Sequence, residues 1–262
     1  MISARDIRVE FSKKPILHGV DFNARPGEVT AIVGPNGSGK TTLLRALTDE
    51  VHWTGQISVN DRDIHAYKPW ELAAIRGVLP QIATIAFPFT VIEVVRLGLT
   101  SGTHGGEDRI VQQALQRVGL AGYENRFFQE LSGGEQQRAH LARVLCQVWD
   151  PMRDGTPRWL LLDEPVASLD IGHQLLIMNC LQDFARRGGG VVAVMHDLNL
   201  TAMVADAVTM IARGEAIAQG PVAEVFTDHW LSAAYQCDLK TNAVPKTPSA
   251  FILPQTAALR GH

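Results

Sequence analysis

Three short runs of this chain are apolar at nearly every position: Val29-Thr30-Ala31-Ile32-Val33, Trp159-Leu160-Leu161-Leu162 and Val191-Val192-Ala193-Val194-Met195. Runs of this length without alternation predict strands covered on both faces, as in a parallel sheet wrapped by helices. Residues 1–28 behave differently. Ile7, Val9, Phe11, then Ile16, Leu17, Val20 and Phe22 alternate loosely with polar positions and close on Arg25-Pro26-Gly27, a pattern of strands and turns. Residues 55–64 continue that pattern, and Val208 to Gly220 predicts a hairpin turning at Gly214.

From Trp70 to Val148 the spacing becomes helical. Val91, Ile92, Val94 and Val95 form one apolar stripe, Ile110, Val111, Ala114, Leu115 and Val118 a second, with a glycine-rich break from Gly98 to Gly106 between them. Leu141, Val144, Leu145 and Val148 form a third, which puts Ser132-Gly133-Gly134 at the front end of a helix. The fully apolar strands should end side by side. Ligands of open α/β sheets bind beyond the carboxyl ends of their strands, so Gly34, Asp163 and His196 mark the place where chemistry is expected.

Composition narrows the classes. A length of 262 residues, 46% of them hydrophobic and 19% charged, suits a globular α/β unit with ample core, expected as one domain over 1–262. The net charge of -3 leaves no electrostatic footprint for nucleic acid, which is therefore not expected as a partner. Cys146, Cys180 and Cys237 are far apart, which supports neither zinc binding nor a disulfide framework and predicts reduced, mostly buried thiols. The first residues lack a basic segment followed by an apolar run, and no stretch of about 18 apolar residues occurs. A cytoplasmic protein is expected, with any membrane-spanning helices supplied by another polypeptide. Residues 242–262, with Pro245, Pro248 and Pro254, predict a surface extension, and the remaining histidines, His104 and His262 among them, predict solvated side chains.

Gly34-Pro35-Asn36-Gly37-Ser38-Gly39-Lys40-Thr41-Thr42 stands between a β-branched strand and a helical stripe of Leu43, Leu44 and Leu47. This is the phosphate-loop pattern: the glycines let backbone N–H groups converge on phosphate oxygens, and the helix N-terminus adds its dipole. Lys40 is placed to reach the β and γ phosphates of a nucleotide, and Thr41 to offer its hydroxyl to Mg²⁺, which prefers oxygen ligands. Asp163 and Glu164 follow large apolar residues and so emerge where a buried strand meets the pocket mouth. Asp163 is suited to orienting the metal, and Glu164 to polarising an attacking water as general base.

With Leu131-Ser132-Gly133-Gly134-Glu135 standing between that loop and Asp163-Glu164, the chain resembles the ATP-binding subunits of ABC transporters over nearly its whole length. The resemblance implies a P-loop NTPase (RecA-like) core, an antiparallel β subdomain from the N-terminal part and a helical subdomain over about 88–149. It implies ATP and Mg²⁺ as ligands, and a homodimer in which Ser132, Gly133 and Gly134 of one subunit close on the γ-phosphate held by the other. Gln81 matches the family glutamine that contacts metal and water, and His196 the histidine that contacts the γ-phosphate. Asp170, in Ser168-Leu169-Asp170, matches the loop that crosses between subunits, and Phe11 the aromatic that stacks on adenine. Two departures stand out. The stretch from Ser132 to Asp163 is longer than usual, its excess at Asp150 to Pro157 predicting an exposed loop, and Val166 replaces a frequent Thr without touching an expected contact.

A chain with no membrane helices of its own is similar to the importer subunits, acting on the cytoplasmic face of the inner membrane through permease subunits and indirectly with a periplasmic binding protein. The stretch from Pro80 to Val91 and the long loop before Asp163 resemble the haemin-import ATPases, with ferric-siderophore or cobalamin importers as the alternative. A non-transport ABC ATPase is disfavoured by the single uninterrupted set of motifs, and a non-hydrolysing module by the presence of Glu164 and His196.

Overall fold

The computed structural model describes residues 1–81, 87–101, 108–244, 250 and 252–257. Residues 82–86 of the Pro80 to Val91 stretch, His104, Pro245, Pro248 and His262 lie outside the described residues. In chain order, β1 (Ile2–Phe11) and β2 (Lys14–Ala24) form an antiparallel pair, followed by β3 (Val29–Val33) and helix α1 (Lys40–Leu47). Strands β4 (Thr54–Val59) and β5 (Arg62–Asp63) come next, then α2 (Pro69–Ile75) and β6 (Arg76–Leu79). Helices α3 (Val91–Ser101), α4 (Asp108–Arg117) and α5 (Gly133–Gln147) precede a small hairpin, β7 (Met152–Arg153) and β8 (Thr156–Pro157). Then come β9 (Trp159–Asp163), α6 (Ile171–Arg186), β10 (Gly190–Val194), α7 (Leu198–Val204), β11 (Ala207–Ala212), β12 (Glu215–Pro221), α8 (Val222–Val225) and α9 (Asp228–Tyr235).

The main sheet runs β12-β11-β3-β10-β9-β6, parallel throughout except for β12, which returns antiparallel to β11. A second sheet, β2-β1-β4-β5, is antiparallel. The central strands are apolar at successive positions because both faces are covered. Leu160, Leu162, Val191 and Ala193 pack into one core with α3 to α6, while Trp159, Leu161, Val192 and Val194 join a second core with α1 and the antiparallel sheet. Asn60 joins the two sheets, accepting from Trp159 Nε1 and donating to Pro157 O, each at 2.9 Å. This α/β architecture with an antiparallel β part and a helical part is the one the sequence implied.

Three expectations need correction. Arg76–Leu79, inside the stretch expected to be helical, is the edge strand of the main sheet. It is short, directly follows a helix, and its Arg76 is spent on donating to Leu47 O and Thr48 O at the end of α1, so its sequence carries no strand pattern. Gly98 does not begin a break but lies inside α3, where a Cβ would meet Arg143 O of α5 at 2.0 Å; it is there to let two helices cross closely. Residues 150–157 are exposed at the tip as expected, yet they close into the β7–β8 hairpin around Asp154 and Gly155, both at positive φ. The thiols are mostly buried, as expected: Cys146 and Cys180 lie inside, pushed up to about 12 and about 11 by desolvation, and Cys237 is exposed. In the C-terminal region a single turn at Pro254–Thr256 rests on α7, with Gln255 Nε2 donating to Asn199 O at 2.9 Å.

Candidate functional site

The carboxyl ends of β3, β9 and β10 meet at a cleft of about 680 Å³, lined among the described residues by Phe11, Ile16, Asn36, Gly37, Gly39 and the first turn of α1, with Gln81, Glu164 and His196. The loop between β3 and α1 is shaped by two glycines. At Gly34 a Cβ would lie 1.9 Å from Ile211 O, and Gly39, the N-cap of α1, holds φ 107, a conformation that favours glycine. Lys40 Nζ donates to Gly34 O and Pro35 O, both at 2.9 Å, which curls the loop around its own lysine. Burial lowers the Lys40 ammonium, and the Glu164 and Asp163 carboxylates oppose that shift. Ser38 Oγ is buried with no hydrogen-bond partner among the described residues. An orphan hydroxyl, an ammonium and the N-terminus of an eight-residue helix form a fitting cradle for an anionic phosphate chain.

On the floor of the cleft, Thr41 Oγ1 donates to Asp163 Oδ1 at 3.2 Å. Asp163 is only 3% exposed, and burial pushes its carboxyl above the usual range; the neighbouring Glu164 adds to that, while the Thr41 hydrogen bond opposes it. Such a set, a hydroxyl beside a buried carboxylate and both oxygen donors, fits Mg²⁺. Glu164 follows directly. Its Oε1 accepts from Gln81 Nε2 at 3.1 Å and lies 2.5 Å from His196 Nε2. The carboxylate is therefore held from two sides, by groups from after β6 and after β10. Glu164 has φ 53, an uncommon backbone state for a non-glycine residue, and its N–H donates to Val194 O at 3.2 Å. The arrangement can take a proton from a water standing over the phosphate loop.

Residues 131–135 form a different feature. Ser132 is the N-cap of α5: its N–H and Oγ–H each donate to Glu135 Oε2 at 2.8 Å, and Oγ accepts from Glu135 N at 3.4 Å, a capping box. Gln136 donates to Phe128 O and Leu131 O and fixes the loop ahead of the helix. Among the described residues lining the phosphate-loop cleft, none comes from 131–135, so within one chain these residues stand apart from Lys40. Asp170 is the N-cap of α6, accepting from His173 N at 2.9 Å, and that N–H is the main reason its carboxyl is lowered. It too is outside the cleft of its own chain. Phe11, at the end of β1 and 44% exposed, does line it. Sequence reasoning passed over Ile16, which faces the cleft from β2, and Gln137, whose Nε2 donates to Glu164 O at 2.6 Å. Gln137 lies in Gln136-Gln137-Arg138, the continuation of the Leu131 to Glu135 signature, which is the sequence signal for it.

The family model described as ABC transporter matches residues 17–167. The chain is 57% identical over 261 residues to a hemin import ATP-binding protein of Jannaschia sp. (strain CCS1), covering all of this chain and 97% of that one. It is 58% identical to the protein of the same name in Ruegeria sp. (strain TM1040), with 98% of each chain covered. Among solved structures, a dimeric bacterial ABC transporter cassette superposes with a TM-score of 0.73 at 25% identity, covering 85% of this chain and 99% of that one. A metal-chelate-type ABC transporter in an inward-facing conformation gives 0.72 at 24% identity, covering 90% and 88%, a likeness of fold.

Proposed function

This chain belongs to the ABC transporter family and is an ATPase, and from that premise we propose that it powers the uptake of haem across the inner membrane. Haem as cargo rests on the identity of 57–58% with proteins named for hemin import over nearly the full chain. Ferric-siderophore or cobalamin uptake, the alternative, is not favoured by these relatives. The subunit works at the cytoplasmic face, held by permease subunits that a periplasmic binding protein loads; among the described residues no helix is long and apolar enough to cross a membrane. Residues 1–262 act as one nucleotide-binding unit, with a helical subdomain over about 88–149 and an extension over 242–262.

The observation that carries the chemistry is the Glu164 carboxylate held between Gln81 and His196 beside the Thr41–Asp163 pair. The loop of Gly34, Pro35, Asn36, Gly37, Ser38, Gly39 and Thr42 cradles the phosphates, Lys40 exchanges its carbonyl partners for β and γ oxygens, and Phe11 stacks on adenine. Thr41, Asp163 and Gln81 would hold Mg²⁺, which when bound would offset the phosphate charge. Glu164 accepts the proton of the attacking water as the water oxygen bonds to the γ-phosphorus, and ADP leaves with the electrons of the broken P–O bond. His196 and Gln81 keep that carboxylate aimed. Ser132, Gly133 and Gly134 of a second copy close the site, with Asp170 on the loop between subunits, so turnover belongs to the dimer. Closure on ATP and release after hydrolysis drive the permease.

The test is the complete transporter, co-purified with its permease and reconstituted with a periplasmic binding protein. Stimulation of ATP turnover by haem-loaded binding protein is expected. Stimulation by a ferric siderophore or cobalamin, with none by haem, overturns the cargo assignment.

A further inference from the structure

Glu164 lies one residue beyond the end of β9, so the sheet's ladder no longer holds its carbonyl. That carbonyl has two partners: Ala167 N at 3.3 Å, a long turn contact, and Gln137 Nε2 at 2.6 Å. A carbonyl only accepts, so the amide nitrogen of Gln137 must face it. The backbone thus clamped is the one at φ 53, an uncommon state that persists only where surroundings enforce it. Gln137 sits in α5, four residues after Gly133 and hence on the same side of the helix. Beside it a Cβ at Gly134 would come within 3.0 Å of Ser168 O, so the front of α5 rests directly on the loop that follows Glu164.

We propose that Gln137 is a positioning residue for ATP hydrolysis, clamping the backbone of Glu164 to the helix whose N-terminus meets the second copy's nucleotide. The inference rests on Glu164 being the base. It adds a link between the two sites of a dimer: a single helical turn joins the stretch that closes on one phosphate chain to the carboxylate that works on the other. A displacement of the α5 N-terminus during closure therefore moves the Glu164 carbonyl with it. Without the clamp, the Glu164 carbonyl keeps only the long Ala167 contact and the peptide shifts, while the cleft of about 350 Å³ beside Gln137 admits water to satisfy the freed carbonyl. The fold survives and the base loses its aim.

Gln137→Leu removes the donor at similar size, and Gln137→Glu removes it at equal shape. Both are measured as full-length chain assembled with its permease, for kcat, apparent KM for ATP and thermal midpoint, and in the Glu164→Gln background for ATP-driven dimers by light scattering. Displacement of a catalytic group by about 1 Å lowers rates by about 100-fold, so kcat should fall by that order while KM and dimer formation stay within about twofold. A kcat within about threefold of the parent overturns the proposal. So does a parallel loss of nucleotide affinity, dimerisation or folding in both variants, because Gln137 then serves only the fold. Wild-type turnover by Glu164→Gln alone would instead remove the base assignment, whatever the Gln137 variants do.

Discussion

Ser132 has two roles that magnitudes can separate. As N-cap it contributes to α5 through the 2.8 Å bond from its hydroxyl to Glu135 Oε2 and the long 3.4 Å bond it accepts from Glu135 N. Its own N–H keeps Glu135 Oε2 whatever the side chain, so half of the capping box survives substitution. Ser132→Ala should therefore cost about 0.5–1 kcal/mol, at the low end for a cap, and lower the melting midpoint by about 1–4 °C in a chain of this length. Ser132→Arg loses the same cap and sets a cation at a helix N-terminus, a further cost of about 0.3–1 kcal/mol. The two proteins are close in stability. They differ in what they present to a second copy, since the arginine places a long charged side chain where a phosphate must approach. We expect the alanine protein to keep turnover within about tenfold and the arginine protein to lose at least about 100-fold, equivalent to about 2.7 kcal/mol, more than the cap difference supplies. Calorimetry, fluorescent-ATP binding and light scattering with Mg-ATP in the Glu164→Gln background read the three quantities. If the arginine protein forms ATP-driven dimers and turns over like the alanine protein, the shared-site reasoning fails.

Glu164→Gln keeps the shape between Gln81 and His196 but cannot take a proton, so phosphate release should fall by about 10²–10⁴-fold while ATP-dependent dimers accumulate; undiminished release would exclude it as base. Asp163→Asn should abolish turnover yet stabilise the nucleotide-free protein. Burial raises the Asp163 carboxyl above its ordinary 3.8, so the native state binds its proton more tightly than the unfolded chain, and stability from this group is full below 3.8 and lost as pH rises through the native value. The asparagine protein should thus melt above wild type at pH 7–8, with the gap closing towards pH 4 in Mg²⁺-free calorimetry; a lower midpoint at every pH would contradict this. Gly98→Ala, whose Cβ would meet Arg143 O at 2.0 Å, should push α3 off α5 and cost about 1–3 kcal/mol by denaturant titration; an unchanged midpoint would refute so close a crossing.

The sequence alone determined the central strands and the phosphate loop, because both are written in consecutive residues: β3, β9 and β10 are apolar at successive positions since two faces bury them, and the turn into α1 admits only certain residues where Gly34 passes Ile211 O. The helix start at Ser132-Gly133-Gly134 was equally local. Tertiary structure decided the rest. Arg76–Leu79 is a strand because β9 offers an edge beside it, and nothing in those four residues says so. Gln81, Glu164 and His196 come from three separate crossovers, and only the parallel order of β6, β9 and β10 brings their side chains to one point. The bond from Gln137 to Glu164 O is of the same kind: its partners are distant in sequence, and their meeting follows from how α5 lies on the sheet, a matter of packing and not of residue pattern.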